Sequence, residues 1–129
     1  MANKTKTVKE LVAEANALVE TLSLDEARGR LDDKDTVFVD IRDVRELKRD
    51  GKLPGAEHAP RGMLEFWFDP ESPYHKEVFA QDKTYVLYCA SGWRSALGAR
   101  ALHEMGFEKI CHMRGGFGGW KEAGHPLED

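Results

Sequence analysis

Apolar residues at Val8, Leu11, Val12, Ala15, Leu18, Val19 and Leu22 recur at helical spacing and form one stripe, with lysines and glutamates between them. The stripe predicts an amphipathic helix at the amino end, packed on its own domain or, as a second reading, on another copy in an oligomer. Residues 1–6 ahead of it are polar and expected to be loose. Ser23 followed by Glu26 has capping-box spacing, which predicts a short helix from Leu24 to about Leu31. The period then changes. Thr36 to Ile41, TVFVDI, is almost continuously apolar, as expected of a strand covered on both faces of a parallel sheet.

Asp43 to Arg49 reads as a short charged helix stopped at Asp50-Gly51, and Pro54-Gly55 turns the chain into a brief strand before Pro60. Arg61 to Tyr74 concentrates Met63, Leu64, Phe66, Trp67 and Phe68 between turn residues, with prolines at 70 and 73 that exclude a long helix. Core packing is the first reading of this segment, and an apolar wall beside a functional loop is the second. A helical turn follows at His75 to Phe79. Thr84 to Tyr88 is rich in β-branched and aromatic residues and predicts a strand, after which a small-residue helix starts with Ser95 as its N-cap and ends at Gly106. Lys109 to Met113 predicts the last strand, and Gly115-Gly116 leads into a short helix containing Trp120. Strands alternating with helices in this order predict an α/β fold: an open, mostly parallel sheet with helices on both faces, plus the amino-terminal amphipathic helix.

A length of 129 residues fits one domain with a sizeable core. The net charge of -4, with acids and bases interspersed, leaves no basic face for nucleic acid. No apolar run approaches the roughly 18 residues that span a bilayer, and the lysine-bearing start lacks the apolar region of a secretory signal. The expected location is therefore the reducing cytoplasm, without nucleic-acid or membrane partners. The two cysteines, Cys89 and Cys111, make neither a disulfide framework nor a zinc-ligand pattern. No metal and no organic cofactor is expected.

Candidate chemistry centres on Cys89, placed where a strand gives way to a loop and then a helix. Backbone N–H groups of residues 90–94 and of the first helical turn can point into such a loop, a cradle that favours a thiolate or an incoming anion. Gly92 permits the tight turn, and Arg94, in C-x4-R spacing, adds a forked cation suited to sulfate-like groups. The competing reading, a cysteine that is a small buried hydrophobe, applies better to Cys111, for which pairing with Cys89 as a resolving thiol is the minor alternative. Trp93 reads equally as a substrate-facing lip or a packed surface aromatic. Asp40 interrupts an apolar strand at its carboxyl end, with Arg42 as its natural partner in a structural ion pair. His58 reads as a hydrogen-bonded structural residue ahead of a base.

The segment Cys89 to Ser95, CASGWRS, resembles the active-site loop of the rhodanese family of sulfurtransferases. Phe38 to Pro60, FVDIRDVRELKRDGKLPGAEHAP, and Gly115 to Pro126, GGFGGWKEAGHP, are similar to that family's amino-side and carboxyl-side signatures. The resemblance implies a rhodanese-like domain over residues 21–129, preceded by a helical extension over 1–20. It implies that Cys89 carries a persulfide, that Ala90, Ser91, Gly92, Trp93 and Arg94 form the substrate- and anion-binding loop, and that Asp40, Arg42 and Ser95 support the site. The reaction so implied takes a sulfane sulfur from an anionic donor, thiosulfate or a persulfide, to a thiophilic acceptor such as cyanide or a thiol, with ping-pong kinetics. The partners are then small-molecule donors and acceptors, with a protein persulfide partner as an alternative and the oligomeric state open. Rival readings are a protein-to-protein persulfide carrier, a regulatory binding module, and a phosphatase or arsenate reductase of the same fold. The last is disfavoured because those loops carry C-x5-R spacing.

Overall fold

The computed structural model describes residues 4–129, so the start of the polar leader lies outside the described residues. Thr7 caps helix α1 (Val8–Leu18) through a capping box with Glu10. The helical stripe expected to run to Leu22 stops at Leu18. Val19 is extended, and Glu20–Leu22 form strand β1. A distant partner decides this: β1 pairs in parallel with β5 (Ile110–Met113), Glu20 opposite Cys111 and Leu22 opposite Met113. Val19 and Leu22 are buried as the stripe requires, but a ladder supplies their backbone partners in place of another helical turn.

Ser23 and Glu26 form the expected capping box on α2 (Leu24–Gly29). Strand β2 (Thr36–Asp40) leads to α3 (Val44–Asp50), capped by Asp43 and closed by Gly51. Then come the two-residue strand β3 (Glu57–His58), a 3-10 turn and α4 (Leu64–Phe68), strand β4 (Thr84–Tyr88), helix α5 (Trp93–Glu104), β5 and α6 (Gly116–Glu122). The five strands form one parallel sheet in the order β1-β5-β4-β2-β3.

Alternation along the strands sends side chains to two cores. Val39, Ile41, Leu87 and Cys89 meet Ala99 and Leu102 of α5 on one face; Phe38, Val86, Tyr88, Cys111 and Met113 meet Ala27 and Trp120 on the other. Helix α1 packs over α5 through Val12, Ala15 and Ala96. The aromatic segment after Pro60 is mainly core. Phe68 is fully buried, stacked on Phe79 with centroids 4.6 Å apart and edge-on to Tyr85 at 5.2 Å, while Phe66 and Tyr74 stay exposed. Burying such a ring contributes roughly 1.5–3 kcal/mol, which explains why a proline-punctuated segment is held in place. Because all strands run the same way, the loops after β1, β2, β4 and β5 converge at one sheet edge, where ligands of open α/β sheets bind.

Candidate active site

Cys89 is the first residue beyond β4, where the ladder ends and its neighbours' N–H groups become available. The loop is held from outside. Phe117 N–H donates to the Cys89 carbonyl at 2.7 Å and Gly118 N–H to the Ala90 carbonyl at 3.0 Å, so the start of α6 fixes the carbonyls outward. Inside, two amides converge on the sulfur: Gly92 N–H at 3.1 Å and Ser95 N–H at 3.4 Å from Sγ. Gly92 takes φ 115, a left-handed conformation that side chains disfavour. Gly116 is required by contact, since a Cβ there would lie 2.5 Å from the Cys89 carbonyl oxygen.

One expectation is corrected. Helix α5 begins at Trp93 with Gly92, not Ser95, at the N-cap, and no side chain caps it. The sulfur itself takes the place of the cap, accepting the amides that a serine oxygen would otherwise satisfy. Ser95 sits inside the first turn, fully buried, with Oγ 3.6 Å from Sγ.

Beyond Ser95 lies a feature that the strand pattern KICHM conceals. His112, 2% exposed on β5, has Nδ1 2.9 Å from Ser95 Oγ and Nε2 2.7 Å from Asn16 Oδ1 and 3.2 Å from Thr21 Oγ1. A hydrogen-bonded chain thus runs from the sulfur to α1 and β1. Burial, and after it the nearby Arg114, pushes the His112 pKa down to about 4, so the ring is neutral near pH 7. A histidine inside an otherwise apolar buried strand is a signal that partners must exist; Asn16, on the exposed side of an amphipathic helix, gives none.

Arg94 is half-exposed and committed to Glu46 of α3, with Nη1 2.8 Å and Nη2 3.1 Å from the two carboxylate oxygens. The Arg94 hydrogen bonds hold the Glu46 carboxyl below its usual range. Glu46 belongs among the loop's supports, and its place in the amino-side signature is the sequence feature that could have pointed to it. Ser91 and Trp93 are exposed at the rim, Trp93 by 48%, and Ala90 is half-buried. Asp40 and Arg42 form a buried bidentate pair at 2.7–3.2 Å; Arg42 also donates to the Gly51 carbonyl and lies 4.1 Å over the Phe117 ring. They thereby tie β2, α3 and α6 together behind the loop. His58 contacts the Arg42 carbonyl at 2.7 Å, which fits its structural reading.

Cys111 lies on the opposite face of the sheet from Cys89, packed among apolar side chains, with the Tyr85 carbonyl 3.8 Å from its thiol. Burial pushes it up to about 12. Among the described residues no helix is long and apolar enough to cross a membrane, and no group of three or more His, Cys, Asp or Glu side chains is placed to hold a metal ion.

Comparison with known proteins places this geometry. Residues 23–123 match the Rhodanese-like domain family. A sulfurtransferase of Allochromatium vinosum is 29% identical over 96 residues, covering 74% of this chain and 81% of that protein. Several other curated relatives are longer, and the chain spans about half or less of their length, among them a Bacillus subtilis putative sulfur carrier protein and a tRNA uridine(34) hydroxylase of Cronobacter sakazakii. Among solved structures, a Rhodopseudomonas palustris protein of unknown function, described as a possible tyrosine phosphatase, is 48% identical with TM-score 0.95, covering 99% of this chain and 98% of its own. The polysulfide-sulfur transferase homodimer of Wolinella succinogenes is 32% identical with TM-score 0.70, covering 94% of this chain and 86% of its own. A loop cysteine cradled by amides at the carboxyl edge of this parallel sheet, matched over residues 23–123, means that the chain belongs to the rhodanese-like family.

Proposed function

We propose that this chain is a sulfurtransferase that carries a sulfane sulfur on Cys89. The carrying observation is the convergence of the Gly92 and Ser95 amides on Sγ. Such donors stabilise a negative charge whether it rests on the thiolate or on the outer sulfur of a persulfide. With thiosulfate, the thiolate attacks the outer sulfur, a Cys89 S–S bond forms, the donor's S–S bond breaks, and sulfite leaves with the electron pair. A nucleophilic acceptor, cyanide or a thiol, then attacks the persulfide's outer sulfur and Cys89 leaves as thiolate. Arg94, fixed by Glu46 at the loop's end, supplies the positive field that draws an anionic donor. No step requires a cofactor.

The test is intact mass after mixing with thiosulfate: a gain of one sulfur at Cys89, removed by cyanide, is expected, and no gain in freshly reduced protein would overturn the reading. A protein persulfide as donor or acceptor is the second reading. It is favoured by the exposed Trp93 at the rim and by a relative from Bacillus subtilis named a putative sulfur carrier protein. The phosphatase reading draws on the Rhodopseudomonas structure's description, but this loop is one residue shorter than C-x5-R, and an aryl phosphate assay is expected to show no turnover.

A further inference from the structure

We propose that His112 is a positioning residue for Cys89: acting through Ser95, it exchanges one neutral tautomer for the other as the sulfur passes between thiol and thiolate. The proposal rests on the Cys89 thiol ionising to the thiolate that the sulfur-transfer reading uses as its nucleophile. Its basis is that every link of the chain faces a partner that serves in either direction.

With a thiol, the Cys89 S–H donates to Ser95 Oγ at 3.6 Å, the Ser95 hydroxyl donates to His112 Nδ1 at 2.9 Å, and His112 Nε2–H donates to Asn16 Oδ1 at 2.7 Å. In that arrangement the serine offers only lone pairs to the sulfur, which suits a thiol and opposes a thiolate. With a thiolate, the Ser95 hydroxyl turns its proton to the sulfur, His112 Nδ1–H donates to Ser95 Oγ, and the bare Nε2 accepts from Thr21 Oγ1, 3.2 Å away, while the Asn16 amide rotates to present Nδ2–H in place of Oδ1. Thr21 Oγ1 also lies 3.4 Å from Asn16 Oδ1, so its hydroxyl donates there in the thiol arrangement and turns to Nε2 in the thiolate one.

Protons balance. The sulfur's proton passes to Ser95 Oγ, the serine's own proton passes to Nδ1, and Nε2 releases its proton to solvent water in a cavity of about 420 Å³ lined by His112, Asn16, Thr21 and Arg114. One proton leaves, and neither Ser95 nor His112 changes charge. The buried ring's depressed pKa agrees with a relay that never stores the proton. Among the described groups facing the ring, Ser95 from α5, Asn16 from α1 and Thr21 from β1 are neutral; Arg114, just past β5, is the cation, and Cys89 is the other titratable group. The amino-terminal helix therefore belongs to the site's hydrogen bonding as well as to the core.

Two measurements on the full chain test this. In the first, long-range proton–nitrogen NMR of the labelled imidazole is followed with pH. The expected result is an Nε2–H ring while Cys89 is a thiol and an Nδ1–H ring once it ionises, with Nε2–H throughout in Cys89→Ala. One unchanging tautomer in the unsubstituted protein, or the same switch in Cys89→Ala, would overturn the proposal. In the second, Cys89 is alkylated with iodoacetamide. His112→Phe, which leaves Ser95 without a backing donor, is expected to slow alkylation at pH 7 by about tenfold while reaching the unsubstituted rate at high pH. His112→Asn, whose amide can present either end to Ser95, is expected to restore most of the rate. Thr21→Val, which removes only the outer hydroxyl and does not disturb β5, is expected to slow it severalfold and serves if His112→Phe does not fold. Unsubstituted rates in all three variants, or equal slowing at every pH, would overturn the proposal. Neither readout uses a sulfur donor, so a persulfide that forms while the tautomer stays fixed rejects the switch alone, and a switch without any persulfide rejects the sulfur-transfer reading alone.

Discussion

Cys89 and Cys111 stand on or beside neighbouring parallel strands, and both are buried to 1% exposure or less. Their surroundings differ in hydrogen-bond donors. Cys111 lies inside a strand paired on both sides, its residue opposite Glu20 of β1 and Val86 of β4, so the backbone groups around it are spent in the sheet. Its thiol is a space-filling group whose ionisation burial opposes. Cys89 comes one residue after its strand stops, and the amides of Gly92 and Ser95, freed from any ladder, turn onto the sulfur. Burial alone makes a cysteine inert; burial against unspent amides makes a site for an anion.

The largest expected effect separates the two directly. Cys89→Ser should abolish persulfide formation and turnover. Cys111→Ser should keep both and lose about 1–3 kcal/mol of stability in urea unfolding, because a hydroxyl is placed among apolar neighbours. Next comes the clamp on the Cys89 loop. Gly116 has φ 59 and no room for a Cβ, so Gly116→Ala should displace the Cys89 carbonyl, cost about 1–3 kcal/mol and slow persulfide formation at least tenfold by stopped-flow or mass readout.

The polar side of the comparison should also be acid-sensitive. His112 titrates near 6.5 when unfolded and near 4 when folded, so stability is fully present above pH 6.5 and falls as pH drops toward 4. The loss across that window is about 3 kcal/mol, and His112→Asn should flatten it in urea titrations at stepped pH. The smallest effect concerns the rim. Arg94→Ala leaves Glu46 unpaired beside the loop and should raise KM for thiosulfate severalfold while affecting an uncharged donor less; equal losses for both would remove the steering role.

Much of this was legible where the deciding interactions are local. The Ser23–Glu26 capping box and the strands at Thr36 and Thr84 depend on residues a few positions apart, and each forms within a residue or two of expectation. The helical stripe beginning at Val8 ran too far because Val19 and Leu22 satisfy helical and strand burial alike, and β5, some ninety residues on, chose between them. Ser95 lies inside the first turn, not at the cap, for a related reason. Its type suits an N-cap, but in this loop the Cys89 sulfur accepts the amides, and Gly92 can turn where serine cannot.

Residue type and order along the chain determined that a cysteine would follow a buried strand and precede a helix, with a glycine and an arginine at set distances, because those choices answer to spacing and backbone freedom. Only the tertiary structure decided what surrounds that cysteine: Glu46 on Arg94, Phe117 and Gly118 on the loop carbonyls, and His112, Thr21 and Asn16 behind Ser95. These partners come from α3, α6, β5, β1 and α1, and their meeting depends on sheet order, a long-range property that no local pattern encodes.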